Sequence, residues 1–217
     1  MIEALIFDMD GVLVDSNPLH REAWRSFNQR YGLETTEEMH ERMYGRRNDQ
    51  IVRDFYGDGL TEDEVIARGR AKEQLYREML DQRLEGALLP GLRAFLAGFQ
   101  DIPMAVASNA EPANVNFVLD RAGLRTYFDA VVDGHQVANP KPYPDIYLRA
   151  AELLAVKAPN CLVFEDSPSG VAAAAAAGMG VIGLRTTYIN LPGTCLTIDN
   201  FLCGELTEWL RARMRPV

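Results

Sequence analysis

The chain has 217 residues, of which 47% are hydrophobic and 24% are charged, and its formal net charge is −9. These values are ordinary for a soluble globular protein, and the length suits one large domain or a core with a small insertion. No stretch approaches the roughly 20 apolar residues that span a bilayer, so no membrane partner is expected. No run of Lys and Arg is longer than Arg46-Arg47, which argues against nucleic acid as a main partner.

The cysteines and the first residues bear on the cellular compartment. The chain has three widely spaced cysteines, Cys161, Cys195 and Cys203, and no CxxC pair. Such a pattern favours neither a disulfide framework nor a metal site, and it fits a reducing cytoplasm. An apolar strand is predicted from residue 4 onward, which leaves no room for a signal peptide. We therefore expect a cytoplasmic protein, and we expect it to be a monomer.

The first predicted element is a strand at residues 4–7, which is followed at once by Asp8-Met9-Asp10-Gly11. Carboxylates resist burial unless they are paired or bound to a metal. The carboxyl ends of parallel strands, however, form the edge at which open α/β sheets place their ligands. The two aspartates therefore indicate a reactive centre and not a solvated turn.

Residues 17 to 85 are predicted to be helical, with no convincing strand. The predicted helices cover residues 18–31, 36–43, 49–56 and 61–84. Thr61-Glu62-Asp63-Glu64 has the pattern of a capping box for the longest of them. An all-helical block between the first and second strands indicates an inserted domain, and Leu88-Leu89-Pro90-Gly91 marks the return to the core.

Strands and helices alternate through the rest of the chain. The predicted strands are 103–107, 130–132, 161–164 and 180–184, and the predicted helices are 92–99, 111–122, 144–154 and 169–177. Alternation of this kind predicts a parallel sheet that is covered on both faces. The six alanines at 172–177, followed by Gly178, predict a helix that packs closely and ends at the glycine.

The expected fold is a doubly wound, Rossmann-like α/β core with an inserted all-helical cap domain. The core would comprise residues 1–16 and 86–217, and the cap would comprise residues 17–85.

Four of the predicted strands end in residues that can carry chemistry. They are Asp8 and Asp10 after the first strand, Ser108 and Asn109 after the second, Lys141 after the third, and Glu165 and Asp166 after the fourth. A parallel sheet brings all of them to one edge. Carboxylates suit Mg²⁺, a lysine offers a point charge for phosphoryl oxygens, and an aspartate can act as a nucleophile. The set predicts magnesium-assisted phosphoryl transfer.

These residues also resemble a known family. FDMDG at 7–11, Ser108, Lys141 and Glu165-Asp166 are similar, in order, to the four motifs of the haloacid dehalogenase superfamily. DGVLVDS at 10–16 and KPYPD at 141–145 narrow the resemblance to the branch that holds β-phosphoglucomutase and small-metabolite phosphatases. Dehalogenases of the superfamily typically lack the second aspartate, so Asp10 argues against that activity.

The resemblance implies a role for each acidic residue. Asp8 would be the nucleophile, and Asp10 would be the general acid/base. Mg²⁺ would bind the Asp8 carboxylate, the Asp10 backbone carbonyl and Asp166, and Glu165 would support the site. The physical logic agrees, because Asp10 can give a proton to a leaving oxygen and then take one from water.

The resemblance also implies that Ser108 and Lys141 hold the transferring phosphoryl group, beside Asn109. Lys141 and the metal would offset the charge that otherwise repels an anionic nucleophile from an anionic phosphate.

Two residues of the predicted cap also have counterparts in the family. In β-phosphoglucomutase-like members a histidine at the position of His20 pairs with a cap lysine near the substrate, and Lys72 falls at the corresponding place. A purely structural role stays open for both. His40 and His135 have no such support and are expected at the surface, and Trp24 is expected in the core of the cap.

Tyr44-Gly45-Arg46-Arg47-Asn48 reads as a glycine turn between two cap helices. One interpretation is a solvated turn. The other is a substrate-specificity loop that includes Gly45, Arg46 and Arg47, in which the two arginines grip a second anionic group.

The predicted function is a magnesium-dependent phosphatase for a small phosphorylated metabolite. A sugar-phosphate mutase is the alternative, which His20 and Lys72 support. Mutases carry an arginine where this chain has Asn48, and a lysine and an asparagine where it has Glu111-Pro112. A phosphorylation-dependent receiver module is a third interpretation, against which the inserted cap and the Asp8/Asp10 spacing speak.

Overall fold

The computed structural model describes residues 1–44 and 46–214. Its centre is a parallel sheet of six strands in the order β3-β2-β1-β4-β5-β6. The strands are β1 Ala4–Phe7, β2 Met104–Ala107, β3 Ala130–Val132, β4 Cys161–Glu165, β5 Gly180–Leu184 and β6 Leu196–Ile198. The doubly wound α/β fold that the alternating pattern predicts is confirmed.

The helices fall into two groups. The first five helices follow β1 and precede the return of the chain to the sheet. They are α1 Asn17–Gln29, α2 Glu37–Met43, α3 Asn48–Tyr56, α4 Glu62–Asp81 and α5 Leu84–Ala87. Those that cover the sheet are α6 Leu92–Gly98, α7 Pro112–Arg121, α8 Asp145–Leu153, α9 Pro168–Ala176 and α10 Gly204–Arg211. Below, the helical segment of residues 17–85 is called the cap and the remainder is called the core.

The register of β1 with its neighbours determines where the polar residues meet. All four residues of β1 are fully buried, as expected for a strand that is covered on both faces. Phe7 lies opposite Val106 of β2 and Phe164 of β4. Asp8, Ser108 and Glu165 therefore reach the same edge of the sheet within one or two residues of these pairs.

The two faces of the sheet are packed differently. On one face, the rings of Phe7 and Phe164 stack with their centroids 4.6 Å apart, and Phe95 and Phe201 pack around them. On the other face, small side chains let α9 approach closely. Within the alanine run, Ala173 and Ala174 are fully buried. The predicted close-packing helix is confirmed.

The cap has a hydrophobic cluster of its own. Its members are Trp24, Phe27, Met39, Met43, Ile51, Val52, Phe55 and Val65. Trp24 is 1% exposed, as expected for a residue of the cap core. The capping box at the start of α4 is confirmed, because the Thr61 side chain accepts from the Glu64 backbone while the Glu64 side chain bonds back to Thr61.

The surface position expected for His40 is wrong. His40 is fully buried, whereas His135 is exposed as expected. The helix α2 has only seven residues, and its inward side carries Met39, His40 and Met43. Because His40 adjoins Met39 on this short helix, packing of the methionines carries the imidazole inward. Burial lowers the pKa of His40, with Arg21 adding to the effect, which favours the neutral ring.

Several element boundaries differ from the prediction. The helix predicted at 61–84 ends at Asp81, and a separate short helix, α5, follows it. The strand predicted at 103–107 begins at Met104, because Pro103 has no N–H for the strand ladder. The strand β6 and the helix α10 were not predicted, since a three-residue strand leaves only a weak pattern.

Two chain crossings join the cap to the core, and they lie side by side. Val14 and Leu88 form an antiparallel bridge, and the Asp15 N–H donates to the Ala87 carbonyl at 2.7 Å. None of the helices in the described residues combines the length and apolar composition that crossing a membrane demands.

Candidate active site

A cavity of about 420 Å³ lies between the sheet edge and the cap. Its core side includes Asp8, Asp10, Ser108, Lys141 and Asp166, and its cap side includes His20 and Lys72, with Arg46 and Arg47 at the loop before α3. The described residues predicted for the site therefore face one space, although they are up to 158 positions apart in sequence (166 − 8). Gly45 was also predicted for the site, and it lies outside the described residues.

Lys141 is the central cation of the site. Its buried Nζ donates to Asp8 Oδ1 at 2.7 Å, to Glu165 Oε1 at 2.7 Å and to the Ala107 carbonyl at 3.1 Å. Burial lowers the pKa of Lys141, but the neighbouring Asp8 and Glu165 carboxylates outweigh it and the net shift is upward. Lys141 is therefore a permanent positive charge beside the predicted nucleophile.

Glu165 is fully buried, and both its oxygens are engaged. Oε1 accepts from Lys141 and from the Tyr147 hydroxyl at 2.8 Å, while Oε2 accepts from the backbone N–H groups of Asp166 and Ser167 at 2.8 and 2.9 Å. Gly170 leaves the space that this carboxylate occupies, since a Cβ there would overlap it. Glu165 thus holds Lys141 and the turn into α9 in place.

Asp166 is held by a second set of side chains. Its Oδ2 accepts from the Thr187 hydroxyl and, at 3.4 Å each, from Thr186 and Asn17. Gly11 has φ +77, and a Cβ at this position would overlap the Asp166 carboxylate. The glycine after Asp10 is therefore required both for its backbone conformation and for the close approach of Asp166.

The acidic residues have the composition and charge of a cation site. Ligand oxygens of Asp8, Glu165 and Asp166 lie within 4.8 Å of one another, and all three side chains are buried. Burial raises the pKa of Asp166, and the Glu165 and Asp8 carboxylates add to the shift. Because oxygen donors with excess negative charge are what Mg²⁺ prefers, the residues fit a magnesium ion. Since Glu165 is already saturated, Asp8 and Asp166 are the carboxylates available to it.

Asp8 has a strongly perturbed environment. It is 8% exposed, and burial raises its pKa to about 7 even though Lys141 opposes the shift. The Glu165 and Asp10 charges contribute to the rise. A cation at the carboxylate would lower the pKa again, since an adjacent positive charge favours the ionised form. The site thus becomes suited to an anionic Asp8 when its cation is bound.

Ser108 and Asn109 lie at the end of β2 beside Lys141. The Ser108 Oγ accepts from the Ala110 N–H at 3.1 Å, and the Asn109 Oδ1 accepts from the Lys141 N–H at 3.2 Å. Ser108 is 2% exposed and lines the cavity. These contacts hold the β2 loop and the Lys141 loop together, so that both can face one phosphoryl group.

Asp10 has quite different neighbours from Asp8. The Ser16 hydroxyl donates to Asp10 Oδ1 at 2.5 Å, and His20 Nε2 lies 3.5 Å from the same oxygen. The Asp10 side chain keeps 24% exposure toward the cavity. A carboxylate that is fixed by neighbouring side chains and still exposed to the cavity is suited to exchange a proton with a bound molecule.

His20 and Lys72 are paired, as the resemblance implies. Lys72 Nζ lies 3.2 Å from His20 Nδ1, and the imidazole stacks on the Tyr76 ring at 3.8 Å. An ammonium group only donates hydrogen bonds, so His20 Nδ1 must accept. A neutral His20 then carries its proton on Nε2, the nitrogen that faces Asp10.

The two arginines of the cap loop have intramolecular partners. Arg46 Nη1 donates to Asp54 Oδ2 at 3.1 Å and to the Arg42 carbonyl at 3.2 Å. Arg47 Nη2 donates to the Gly134 carbonyl and to the Val137 carbonyl at 2.8 Å, both of which belong to the core. In this arrangement Arg47 joins the cap to the core.

Sequence reasoning missed several residues of the site. Thr186 and Thr187 hold Asp166, Ser16 holds Asp10, and Tyr147 holds Glu165. The two threonines follow the predicted strand at 180–184, so the rule that led to the other strand ends would have found them. Tyr147 lies inside α8 and has no comparable signal.

The fold and the site define the class of the protein. A family model described as haloacid dehalogenase-like hydrolase matches residues 2–178, and the chain belongs to this family. The fructose-1-phosphate phosphatase YqaB of Escherichia coli strain K12 is 36% identical over 181 residues, which are 83% of this chain and 95% of that protein.

Two further relatives represent both activities that the sequence left open. A phosphorylated carbohydrates phosphatase of Thermotoga maritima is 37% identical over 185 residues, 82% of each chain. The crystal structure of β-phosphoglucomutase from Clostridium difficile superposes with a TM-score of 0.87 at 27% identity and covers 98% of each chain. The chain thus lies in the branch of sugar-phosphate phosphatases and mutases.

Proposed function

We propose that this protein is a magnesium-dependent phosphatase that hydrolyses a small phosphorylated sugar through an aspartyl-phosphate at Asp8. One observation carries the proposal. The Asp8 carboxylate, held 2.7 Å from Lys141, faces the same cavity as Asp10, which is held separately by Ser16. A nucleophile, a fixed cation and an acid/base therefore face one substrate-sized space.

The proposed reaction has two steps. The Asp8 carboxylate attacks phosphorus and breaks the bond to the leaving oxygen, to which Asp10 gives its proton. Water then attacks the phosphorus and breaks its bond to Asp8, while Asp10 takes the proton from this water. Inorganic phosphate leaves, and both residues are restored. Lys141, with Ser108 and Asn109, holds the phosphoryl oxygens and offsets their charge throughout.

Asp8, Asp166 and the Asp10 backbone carbonyl are the groups that would hold Mg²⁺. When bound, the ion supplies positive charge to the phosphoryl oxygens and to the Asp8 carboxylate. Glu165 keeps Lys141 in place beside it.

Water is the proposed acceptor, and three contacts support this over a sugar hydroxyl. A mutase must anchor a distal phosphate, but Arg46 is paired with Asp54 and Arg47 with core carbonyls. Glu111, which also lines the cavity, adds a carboxylate there, and it is paired with Arg77. Two phosphatases of phosphorylated sugars are 36% and 37% identical to the chain. The His20–Lys72 pair favours the mutase and keeps it as the alternative.

The test compares two sugar phosphates. With Mg²⁺, the protein is expected to release inorganic phosphate from fructose 1-phosphate. From β-glucose 1-phosphate with a trace of the 1,6-bisphosphate, it should release phosphate faster than it forms glucose 6-phosphate. Accumulation of glucose 6-phosphate with little free phosphate would establish the mutase instead.

Two controls address the metal and the nucleophile. Excess chelator should abolish phosphate release, and added Mg²⁺ should restore it. The variant Asp8→Asn should retain the fold but less than about 1% of the activity, because it lacks the nucleophile and a metal ligand. Full activity with chelator, or a clearly active variant, would contradict the proposed mechanism.

A cytoplasmic monomer remains part of the proposal. All three cysteines are free thiols in the structure, which is compatible with a reducing compartment. Light scattering coupled to size-exclusion chromatography tests the monomer directly, and a mass of twice the chain's 24.2 kDa would contradict it.

A further inference from the structure

A cluster of polar side chains, three of which are buried, joins the cap to the core beside the cavity, and the proposed chemistry does not use it. The cluster consists of Lys72, Glu73 and Arg77 of α4 and Glu111 and Asn114 at the start of α7. Lys72 is 1% exposed and Glu73 is 3% exposed. Charged groups are rarely buried this deeply unless each has a partner, so the arrangement calls for a function.

Glu73 has one partner in the cap and one in the core. Its Oε1 pairs with the Lys72 ammonium, and its Oε2 accepts from Asn114 Nδ2 at 2.6 Å. Burial would raise the pKa of Glu73, but Lys72 and then His20 outweigh it, and the pKa falls to about 2. Glu73 is therefore a fixed anion whose two oxygens bind different parts of the molecule.

The core side of this contact is itself held in one orientation. Asn114 Oδ1 accepts from Arg77 Nη1 at 2.6 Å, and the same nitrogen donates to Glu111 Oε1 at 2.7 Å. Because the Asn114 oxygen faces a donor, its NH₂ group must face the Glu73 acceptor. The helix α7 follows directly after Ser108 and Asn109, so the contact begins next to the phosphoryl-binding loop.

On the cap side, the contacts of Glu73 continue to Asp10, the proposed acid/base. Lys72 Nζ bonds to Glu73 and reaches His20 Nδ1 at 3.2 Å, and His20 Nε2 lies 3.5 Å from Asp10 Oδ1. The direction of the Lys72 ammonium depends on where the Glu73 carboxylate lies. A continuous set of contacts therefore runs from the core helix α7 through the cap to Asp10.

We propose that Glu73 is a positioning residue for Asp10 that acts only while Asn114 of the core holds its second oxygen, so that proton transfer is coupled to closure of the cap. The inference rests on the proposed function, and it adds a device that assembles the acid/base in the closed protein. When the cap separates from the core, Glu73 loses Asn114, and its carboxylate and the Lys72 ammonium become free to turn. His20 then no longer holds Asp10.

The test uses the variants Glu73→Gln and Asn114→Ala, alone and together. A carboxylate accepts on both oxygens, whereas glutamine accepts on one and donates on the other, so Glu73→Gln must lose either Lys72 or Asn114. Asn114→Ala leaves the Lys72–Glu73 pair intact and removes the core's contact with Glu73. It also removes the bond from Arg77 to Asn114, but Arg77 keeps its bond to Glu111. Glu78→Gln is the matched control, because it makes the same change at an exposed position of α4.

The readout is kcat/KM for an alkyl phosphate, such as a sugar phosphate, against an aryl phosphate with a good leaving group. In each variant, kcat/KM for the alkyl ester should fall about 10–100-fold, since displacement of a catalytic group by about 1 Å lowers the rate by this order. The leaving oxygen of the aryl ester needs little protonation, so kcat/KM for this ester should fall much less. The double variant should lose no more than the worse single one, because both substitutions break the same contact.

Two outcomes would count against the proposal. If both variants fold, as circular dichroism reports, and keep wild-type kcat/KM on the alkyl ester, Glu73 does not position Asp10. Equal losses on both esters would indicate a structural role only. If Glu73→Gln does not fold, Asn114→Ala decides alone. A wild-type protein that releases no phosphate would overturn the proposed function itself, which is a distinct result.

Discussion

Asp8 and Asp10 are separated by one residue, yet their surroundings differ in the way that the proposed roles of nucleophile and acid/base require. Asp8 is almost completely buried, which raises the pKa of its carboxyl, while the Lys141 ammonium 2.7 Å away favours the anion. Asp10 is held by Ser16 and faces the cavity beside Nε2 of His20. Pairs of carboxyl groups whose environments differ in this way are how enzymes divide the roles of nucleophile and acid/base.

The first prediction concerns Asp10. Replacing it by asparagine should lower turnover of an alkyl phosphate by roughly 10²–10⁴-fold, which is the usual contribution of a general acid/base. The value of kcat/KM reports phosphoryl transfer to Asp8. For aryl phosphates it should fall less, because their leaving groups need no proton. Asp101→Asn, in an exposed turn, is the matched control and should behave as wild type. Equal losses on both classes of ester would exclude a role for Asp10 in protonation.

At the scale of elements, the turn from β4 into α9 organises the site. Glu165 ends the strand, and Ser167 caps the helix by accepting from the Gly170 N–H at 3.1 Å. The same turn places the Ser167 hydroxyl and the backbone N–H of Asp166 on the Glu165 carboxylate. One strand-to-helix junction therefore orients both Glu165, which supports Lys141, and Asp166, which the proposed mechanism assigns to the metal.

The second prediction tests this junction through Gly170. A Cβ at this position would overlap the Glu165 carboxylate, so Gly170→Ala must displace Glu165 from Lys141. We expect a loss of about 1–3 kcal/mol in the free energy of unfolding, as for overpacked cores, together with a large loss of activity. Thermal unfolding and phosphate release measure the two effects.

Gly98→Ala is the control for this substitution. Gly98 is the last residue of α6, is exposed, and a Cβ there would meet nothing within 4 Å. It should leave the activity unchanged, and the unfolding free energy should stay equal or rise by up to about 1 kcal/mol through helix propensity. A fully active Gly170→Ala would show that the close approach to Glu165 is not required.

At the scale of the whole molecule, polar contacts hold the cap on the core. Arg47 donates to the carbonyls of Gly134 and Val137, and Arg77 of α4 contacts Glu111 and Asn114. We expect the cap to turn about the paired crossings near residues 15–17 and 85–88. Because the site lies between the two parts, we expect these contacts to open when a substrate enters.

The third prediction therefore concerns Arg47. Without ligand, Arg47→Ala should populate an open cap more than wild type, since it loses two charge-assisted hydrogen bonds to the core. Small-angle X-ray scattering should show a larger radius of gyration, and orthovanadate with Mg²⁺ should reduce it. Arg149→Ala, whose partner Glu152 lies on the same helix, should not differ from wild type. Equal radii for all three proteins, with and without vanadate, would contradict a mobile cap held by Arg47.

Local patterns predict much of this structure because they record local physics. The apolar run before Asp8 requires a buried strand, Thr61 and Glu64 cap their helix through neighbouring backbone groups, and the alanine run ends at Gly178, which has φ +75. The meeting of the four strand-end motifs could also be predicted, because parallel strands bring their carboxyl ends to one edge of the sheet. These features depend on residues close in sequence, so the sequence by itself determined them.

Only the tertiary structure decided which groups face each other across the two parts of the molecule. His40 is buried because a short helix packs on its methionine side. Arg47 bonds to core carbonyls, whereas the sequence left open a solvated turn or a substrate-specificity loop. The Glu73–Asn114 contact joins residues 41 positions apart on two helices. Such contacts arise from how whole elements pack, and no pattern of adjacent residues encodes them.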